Sequence, residues 1–148
     1  MVRRATSVLF LCNENALRSP MAEGLLKRLH GHRLYVQSAG LRRGTLDPLA
    51  VATMAEIGID ISRHVPRQIE DLDDNSFDLV VALAPEAHAA ARALTSNSSA
   101  EIIDWAIEDP SRDEGSRSAM LAAYGAVRDL LRAQIARDIA PRAGAPLP

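Results

Sequence analysis

At 148 residues, 47% hydrophobic and only 3% aromatic, the chain is long enough for one domain whose core is filled by aliphatic side chains and alanine. A formal net charge of −2 leaves no electrostatic footprint for nucleic acid, although all the basic residues but Lys27 are arginine. The only cysteine, Cys12, excludes an intrachain disulfide and fits a reducing cytoplasm, and no apolar run is long enough for a membrane span or a signal peptide.

The run Ser7 to Leu11, apolar from Val8 onward, predicts a strand buried on both faces. Cys12 ends it. Five residues later come Arg18, Ser19 and Pro20. Ser19 is expected to cap a helix and Pro20 to sit in its first turn. Met21, Leu25, Leu26 and Leu29 give that helix, Ser19 to His30, an apolar face, and Gly31 ends it. Arg33 to Ser38 is expected as the second strand. A polar loop, Leu41 to Leu46, carries Arg42 and Arg43. Asp47 caps and Pro48 opens the second helix, whose buried stripe is Val51, Met54 and Ala55 and which Gly58 stops. Ile59 to Pro66 is a connection holding Ser62, Arg63 and His64, and Gln68 to Asp73 a short helical turn.

Phe77 to Ala84 reads as the third strand, Pro85 to Leu94 as an alanine-rich third helix, and Glu101 to Trp105 as the fourth strand. Ala106 to Gly115 is an acidic loop containing Asp109-Pro110. Ser116 caps the last helix, with Met120, Tyr124, Val127, Leu131 and Ile135 as its core stripe. Alternating strands and helices imply an α/β fold with a parallel sheet and helices on both faces. The expected domain covers residues 1–139, and Ala140 to Pro148, rich in proline, is expected as a loose tail.

The chemistry concentrates between Cys12 and Arg18, a tight loop joining a strand end to a helix start, where open α/β sheets bind ligands. Backbone N–H groups of such a loop, with the helix N-terminus, form an anion-binding concavity. Arg18 adds a planar guanidinium that grips two oxygens of a tetrahedral oxyanion. A positive field of this kind favours thiolate over thiol, which makes Cys12 a nucleophile aimed at a bound phosphate or similar group. Asn15 tolerates the left-handed backbone that an inward-facing loop requires. Hydrolysis of a phosphate monoester also needs a proton for the leaving oxygen and then a base for water. Asp109 is the candidate, kept out of a helix by Pro110, with Glu108, Asp113 and Glu114 as neighbours able to substitute. His30, His32 and His88 read as surface residues, no spacing suggests a metal site, and no cofactor is expected. Trp105 reads as a core anchor.

Cys12-x5-Arg18-Ser19-Pro20 behind an N-terminal hydrophobic strand resembles the low-molecular-weight protein tyrosine phosphatase family, which shares its fold and loop with thioredoxin-coupled arsenate reductases. Further matches follow in the family's order: Asn15, Met21-Ala22-Glu23, Ser38-Ala39-Gly40, Asp47-Pro48, Gly58-Ile59, His64, Phe77 to Val81, and Asp109-Pro110. The resemblance implies a four-stranded parallel sheet in the order 2-1-3-4, with helices on both faces and the first strand central. It implies that Asn13, Glu14, Asn15, Ala16, Leu17 and Arg18 bind phosphate and that Cys12, Arg18 and Asp109 are catalytic. Ser19 would donate to the thiolate. Asn15, Ser38 and His64 would hold the loop in shape. A monomer is expected, acting on a phosphorylated protein or small phosphomonoester, with no nucleic-acid or membrane partner.

The departures from the family bear on substrate. Leu17 stands where many members carry a second, protective cysteine, so oxidation of Cys12 beyond the sulfenic state would be irreversible. Ser111 and Arg112 replace the tyrosines that follow Asp-Pro in phosphotyrosine-specific members, and the Leu41 to Leu46 loop lacks an aromatic. Ring stacking therefore contributes little, and Arg42, Arg43 and Arg112 would favour an acidic or more highly phosphorylated substrate. Glu14 replaces a small residue and would oppose anion binding if it pointed inward.

The leading expectation is a phosphomonoester hydrolase acting through a cysteinyl-phosphate. The alternative is an arsenate reductase using an external thiol, glutathione or mycothiol with a redoxin, since Leu83-Ala84-Pro85-Glu86 offers no relay cysteine after the third strand. Pro20 favours the phosphatase side, because reductases more often carry glutamine after the serine. An alternative of another class is a non-catalytic phosphate- or phosphoprotein-binding module.

Overall fold

The computed structural model describes residues 2–73, 76–112 and 114–142. The apolar run behind Cys12 becomes the inner strand β2 (Ser7–Cys12). It pairs in parallel with β3 (Tyr35–Gly40) on one side and β4 (Leu79–Ala82) on the other, and β5 (Glu101–Asp104) pairs with β4. The order β3-β2-β4-β5 is the one expected. Val8, Phe10 and Cys12 enter one core with residues of α1 (Arg18–His30), α2 (Pro48–Ala55) and α4 (Arg117–Asp138). Leu9 and Leu11 enter a second core with Ala87 and Ala91 of α3 (Pro85–Leu94). Helices cover both sheet faces, which is why this strand shows no polar alternation.

Several punctuation signals act as read. Asp47 Oδ1 accepts from the Leu49 N–H at 2.9 Å, and Ser116 Oγ accepts from the Ala119 N–H at 3.1 Å, each capping its helix. Gly58 takes a φ of 76° just past α2, a conformation glycine adopts without steric cost. Trp105 is buried and tilts against Phe10, ring centroids 6.5 Å apart.

Other expectations need correction. Ser19 does not cap α1: the helix begins at Arg18, and the capping position falls on Leu17, which makes no side-chain cap bond. The Ser19 hydroxyl is drawn instead into buried bonds with Cys12 and Asn15. Leu29 is 42% exposed, so the buried face of α1 stops at Leu26. β3 starts later than Arg33, because the Arg33 and Leu34 N–H groups both donate to His30 O and finish the helix end. The third strand shortens to Leu79–Ala82.

Two strands escaped the sequence reading. β1 (Arg3–Ala5) pairs in parallel with β6 (Ile139–Pro141), setting Ala140 and Pro141 in register with Arg4 and Ala5. The ordered chain therefore runs past the expected boundary at residue 139. Residues 143–148 of the expected tail, and the neighbouring acid Asp113, lie outside the described residues. Among the described residues no helix is long and apolar enough to cross a membrane.

Candidate active site

The loop between β2 and α1 is held from behind by the segment that follows β3. Leu41 N–H donates to Cys12 O at 3.1 Å, Arg42 N–H to Asn13 O at 2.9 Å, Gly44 N–H to Glu14 O at 2.9 Å, and Asp47 N–H to Ala16 O at 3.0 Å. This close approach needs glycine at position 40: a Cβ there would lie 2.7 Å from both Asn15 N and Glu14 C and 2.6 Å from Arg42 O. Asn15 turns the loop with a φ of 56°. The carbonyls of Cys12, Asn13, Glu14 and Ala16 are thus committed backwards. Among the described residues no protein acceptor takes the N–H groups of Glu14, Asn15, Ala16 or Leu17. Unpartnered amides at a helix start are suited to a tetrahedral anion.

Behind the loop lies a hydrogen-bond chain whose direction is determined by its donors. Arg67 N–H, which can only donate, reaches Asn15 Oδ1 at 2.9 Å. That fixes the amide. Asn15 Nδ2 then donates to Ser19 Oγ and to Ser38 Oγ, each at 2.9 Å. Each hydroxyl keeps its own proton to give onward. Ser38 gives to Glu23 Oε1 at 2.5 Å, and Ser19 lies 2.8 Å from Cys12 Sγ. The Ser19 hydroxyl thus has its proton available to sulfur, and a hydroxyl that donates to sulfur stabilises a thiolate.

His64 Nε2 donates to the same Asn15 Oδ1 at 2.9 Å, and its Nδ1 stands 3.9 Å from Glu23. Burial holds the His64 ring below its ordinary pKa, and the Glu23 carboxylate and the Asn15 bond offset part of that effect. Glu23 also pairs with Lys27 one turn along α1.

In front of the loop, Arg18 is almost fully buried and donates through Nη1 to Ile107 O at 2.8 Å, in the loop that follows β5. Its Nη2 lies 4.0 Å from Asp109 Oδ2. The other oxygen of Asp109 is occupied: Oδ1 accepts from Ser111 N–H at 3.0 Å and Ser111 Oγ at 2.6 Å. Pro110 opens a short 3-10 turn, Pro110–Arg112, that presents this pairing. Cys12, Arg18 and Asp109 line one cleft of about 510 Å³, with Asn13, Glu14, Ala16 and Leu17 in its floor and Arg42, Asp47, Ser111 and Arg112 in its walls. Glu14 does not oppose the loop from within: its exposed carboxylate stands 3.8 Å from Arg42. Arg43 turns away from the cleft to Asp71, at 2.6 Å. At the start of α3, Glu86 is held below the usual carboxylate range, first by its own backbone N–H, with Asn13, Arg18 and Arg112 adding to the effect.

The structure groups the expected site residues in two sets: Cys12, Arg18 and Asp109 at the cleft with Asn13, Glu14, Ala16 and Leu17 in its floor, and Ser19, Ser38, His64 and the fully buried Asn15, which does not line the cleft, behind it. His88 is partly exposed and binds Asp104 at 2.7 Å. Among the described residues no group of three His, Cys, Asp or Glu side chains could hold a metal ion. The sequence reading gave no role at the site to Glu23, Tyr124 or Arg67. Ser19, Glu23 and Lys27 recur every fourth residue of α1, the spacing that marks Glu23 as a neighbour of Ser19. Tyr124 passed for a core residue in its stripe, yet its hydroxyl donates to Asp47 Oδ2 at 2.5 Å and so ties α4 to the cleft wall. Burial and this bond to Asp47 push its phenol well above the ordinary range.

Comparison with known proteins gives this site a family. A family model described as low molecular weight phosphotyrosine protein phosphatase matches residues 7–141. An arsenate reductase of Halalkalibacterium halodurans is 38% identical over 122 residues, 82% of this chain and 86% of that protein. Among solved structures, an arsenate reductase in its phosphate-binding state superposes with a TM-score of 0.70 at 29% identity, over 89% of this chain and 95% of that one. A protein tyrosine phosphatase gives 0.70 at 26% identity, over 88% of this chain and 90% of that one.

Proposed function

The chain belongs to the low molecular weight phosphotyrosine protein phosphatase family, whose chemistry runs through a cysteine, and we propose that it hydrolyses phosphomonoesters through a cysteinyl-phosphate intermediate. One observation carries the reading: Asp109 Oδ2 stands beside Arg18 in the cleft above Cys12, its partner oxygen anchored by Ser111. The Cys12 thiolate attacks phosphorus and the bond to the leaving oxygen breaks. Asp109 supplies that oxygen with a proton. The loop amides and Arg18 hold the three remaining oxygens, an electrostatic role of the kind that dominates phosphoryl transfer. Asp109, now ionised, takes a proton from water, which attacks phosphorus. The S–P bond breaks, and thiolate and phosphate are restored. Ser19 stabilises the thiolate both as attacker and as leaving group.

A second reading is favoured by the names of the curated relatives, which are arsenate reductases. Arsenate has the shape of phosphate and fits the same loop. Its reduction consumes two electrons, and Cys12 is the only cysteine in the chain. Here the arsenic bound to Cys12 passes to an external thiol, glutathione or mycothiol, and thiols outside the chain supply both electrons as they form a disulfide. The lack of a second cysteine bears only on a reductase with an internal relay; the position of Asp109 beside Arg18 in the cleft supports the hydrolase, and the relatives' names support the reductase.

The test sets both reactions side by side: p-nitrophenol release from p-nitrophenyl phosphate, and arsenite formation from arsenate with glutathione or with mycothiol and a redoxin. Hydrolysis abolished in Cys12→Ser, with arsenite formation at background, is the expected result. Arsenite formation without ester hydrolysis would establish the second reading. Neither reaction, with Cys12 reduced, would leave an oxyanion-binding module.

A further inference from the structure

The cleft has more room than a phosphate fills, and its outer wall shows what the remainder of the substrate meets. None of the five aromatic residues lies there. Phe10, Phe77, Trp105 and Tyr124 are buried in the cores, and Tyr35 stacks on Phe77 at the end of β3 remote from the loop. The wall carries instead two arginines from separate segments, Arg42 after β3 and Arg112 after Asp109.

Several other arginines are committed to carboxylates: Arg43 to Asp71, Arg3 to Glu101, Arg128 to Glu56 and Asp129. Arg112 is exposed and makes no ion pair among the described residues, though its field reaches Glu86. Among the described residues the Arg42 side chain has only Glu14, at 3.8 Å, beyond hydrogen-bond range, and it is 64% exposed. The cleft's other carboxylates are engaged by donors other than these two arginines. Asp47 accepts from the Leu49 N–H through one oxygen and from Tyr124 through the other, and Asp109 Oδ1 is held by Ser111.

We propose that Arg42 and Arg112 form a subsite for a second anionic group on the leaving side of the substrate, so that the preferred substrates are phosphomonoesters whose leaving group carries a carboxylate or a further phosphate. A guanidinium offers such a group a forked pair of donors. This subsite deepens the hydrolase reading and rests on it.

The test uses a matched pair, 4-carboxyphenyl phosphate and its neutral amide, 4-carbamoylphenyl phosphate. The ratio of kcat/KM for acid over amide, taken within one enzyme, is independent of how much of a variant is folded. Wild type is expected to favour the acid by about fivefold, the scale of one or two exposed ion pairs, and the ratio should shrink as ionic strength rises. Arg112→Gln and Arg42→Gln should each lower the ratio, the double variant should bring it to unity, and Arg112→Glu should take it below unity. A wild-type ratio of one, or a ratio unmoved by these substitutions, would overturn the subsite and leave the hydrolase reading standing. Failure to hydrolyse either ester would overturn the hydrolase reading instead. Equilibrium binding of the two esters to Cys12→Ser then decides the subsite: tighter binding of the acid, lost on adding Arg112→Gln, supports it, and equal binding overturns it.

Discussion

The backbone N–H of Arg67 donates to Asn15 Oδ1 at 2.9 Å, and this contact sets the direction of the bonds that run on to Cys12. Because that oxygen must accept, Asn15 Nδ2 must donate to Ser19, and the Ser19 proton stays available to a thiolate at Cys12. Ser19→Ala removes this donor. Hydrogen bonds to charged groups contribute about 1.5–3 kcal/mol, so alkylation of Cys12 by iodoacetate at neutral pH is expected to slow by about tenfold or more. Ser19→Ala alkylated as fast as wild type would mean the hydroxyl does not act on the thiolate.

Asn15 does two jobs that substitution can separate. Its φ of 56° is a backbone requirement, and its amide is a hub for Ser19, Ser38, His64 and Arg67. Asn15→Gly keeps the first and loses the second, whereas Asn15→Ala loses both. Denaturant unfolding should find the glycine variant more stable than the alanine variant by about 1 kcal/mol, the scale of the left-handed penalty for a residue with a Cβ. Both should turn over p-nitrophenyl phosphate poorly. Full activity in Asn15→Gly would show that the hub is dispensable.

The outline of the fold was legible because its signals are local. Val8 to Leu11, Asp47-Pro48, Gly58 and Ser116 act through neighbours a few residues away, and the step from Cys12 to Arg18 is a loop of fixed length. The sequence was silent where the partner is distant or the acting group is backbone. The Arg67 N–H reaches Asn15 across 52 positions without using its side chain, so no residue type marks it. Tyr124 satisfies the helical stripe like any large core residue, and only the fold sets Asp47 against its hydroxyl. Three-residue strands such as β1 and β6 are too short to display an alternation. Ser19 misled for another reason: a hydroxyl at a helix start usually caps, but here a buried sulfur and amide compete for it.

His64 gives the protein a pH dependence of stability with a definite sign. Burial lowers its folded-state pKa below 6.5, so the unfolded chain binds the proton more readily. Its contribution is therefore present in full above about pH 6.5 and is lost as pH falls from there through the lower folded value. Denaturant midpoints followed from neutral pH into acid should decline less steeply for His64→Gln than for wild type. An equal or steeper decline in the variant would contradict the buried, neutral assignment.

Asp109 as proton donor implies a dependence on the leaving group. A poor leaving oxygen needs the proton and a good one does not, so Asp109→Asn should slow phenyl phosphate far more than p-nitrophenyl phosphate. General acid catalysis of this kind typically contributes about 10²–10⁴-fold. Steady-state kcat on the two esters checks this, and equal losses on both would assign Asp109 to binding.

The most direct measurement is acid-quench trapping with an ester labelled with radioactive phosphorus, in wild type and Cys12→Ser. Wild type should carry acid-stable label on the peptide containing Cys12 during turnover and lose it when substrate is exhausted, while Cys12→Ser should carry none and release no phosphate. Turnover persisting in Cys12→Ser, or wild-type label on any other residue, would contradict the cysteinyl-phosphate mechanism.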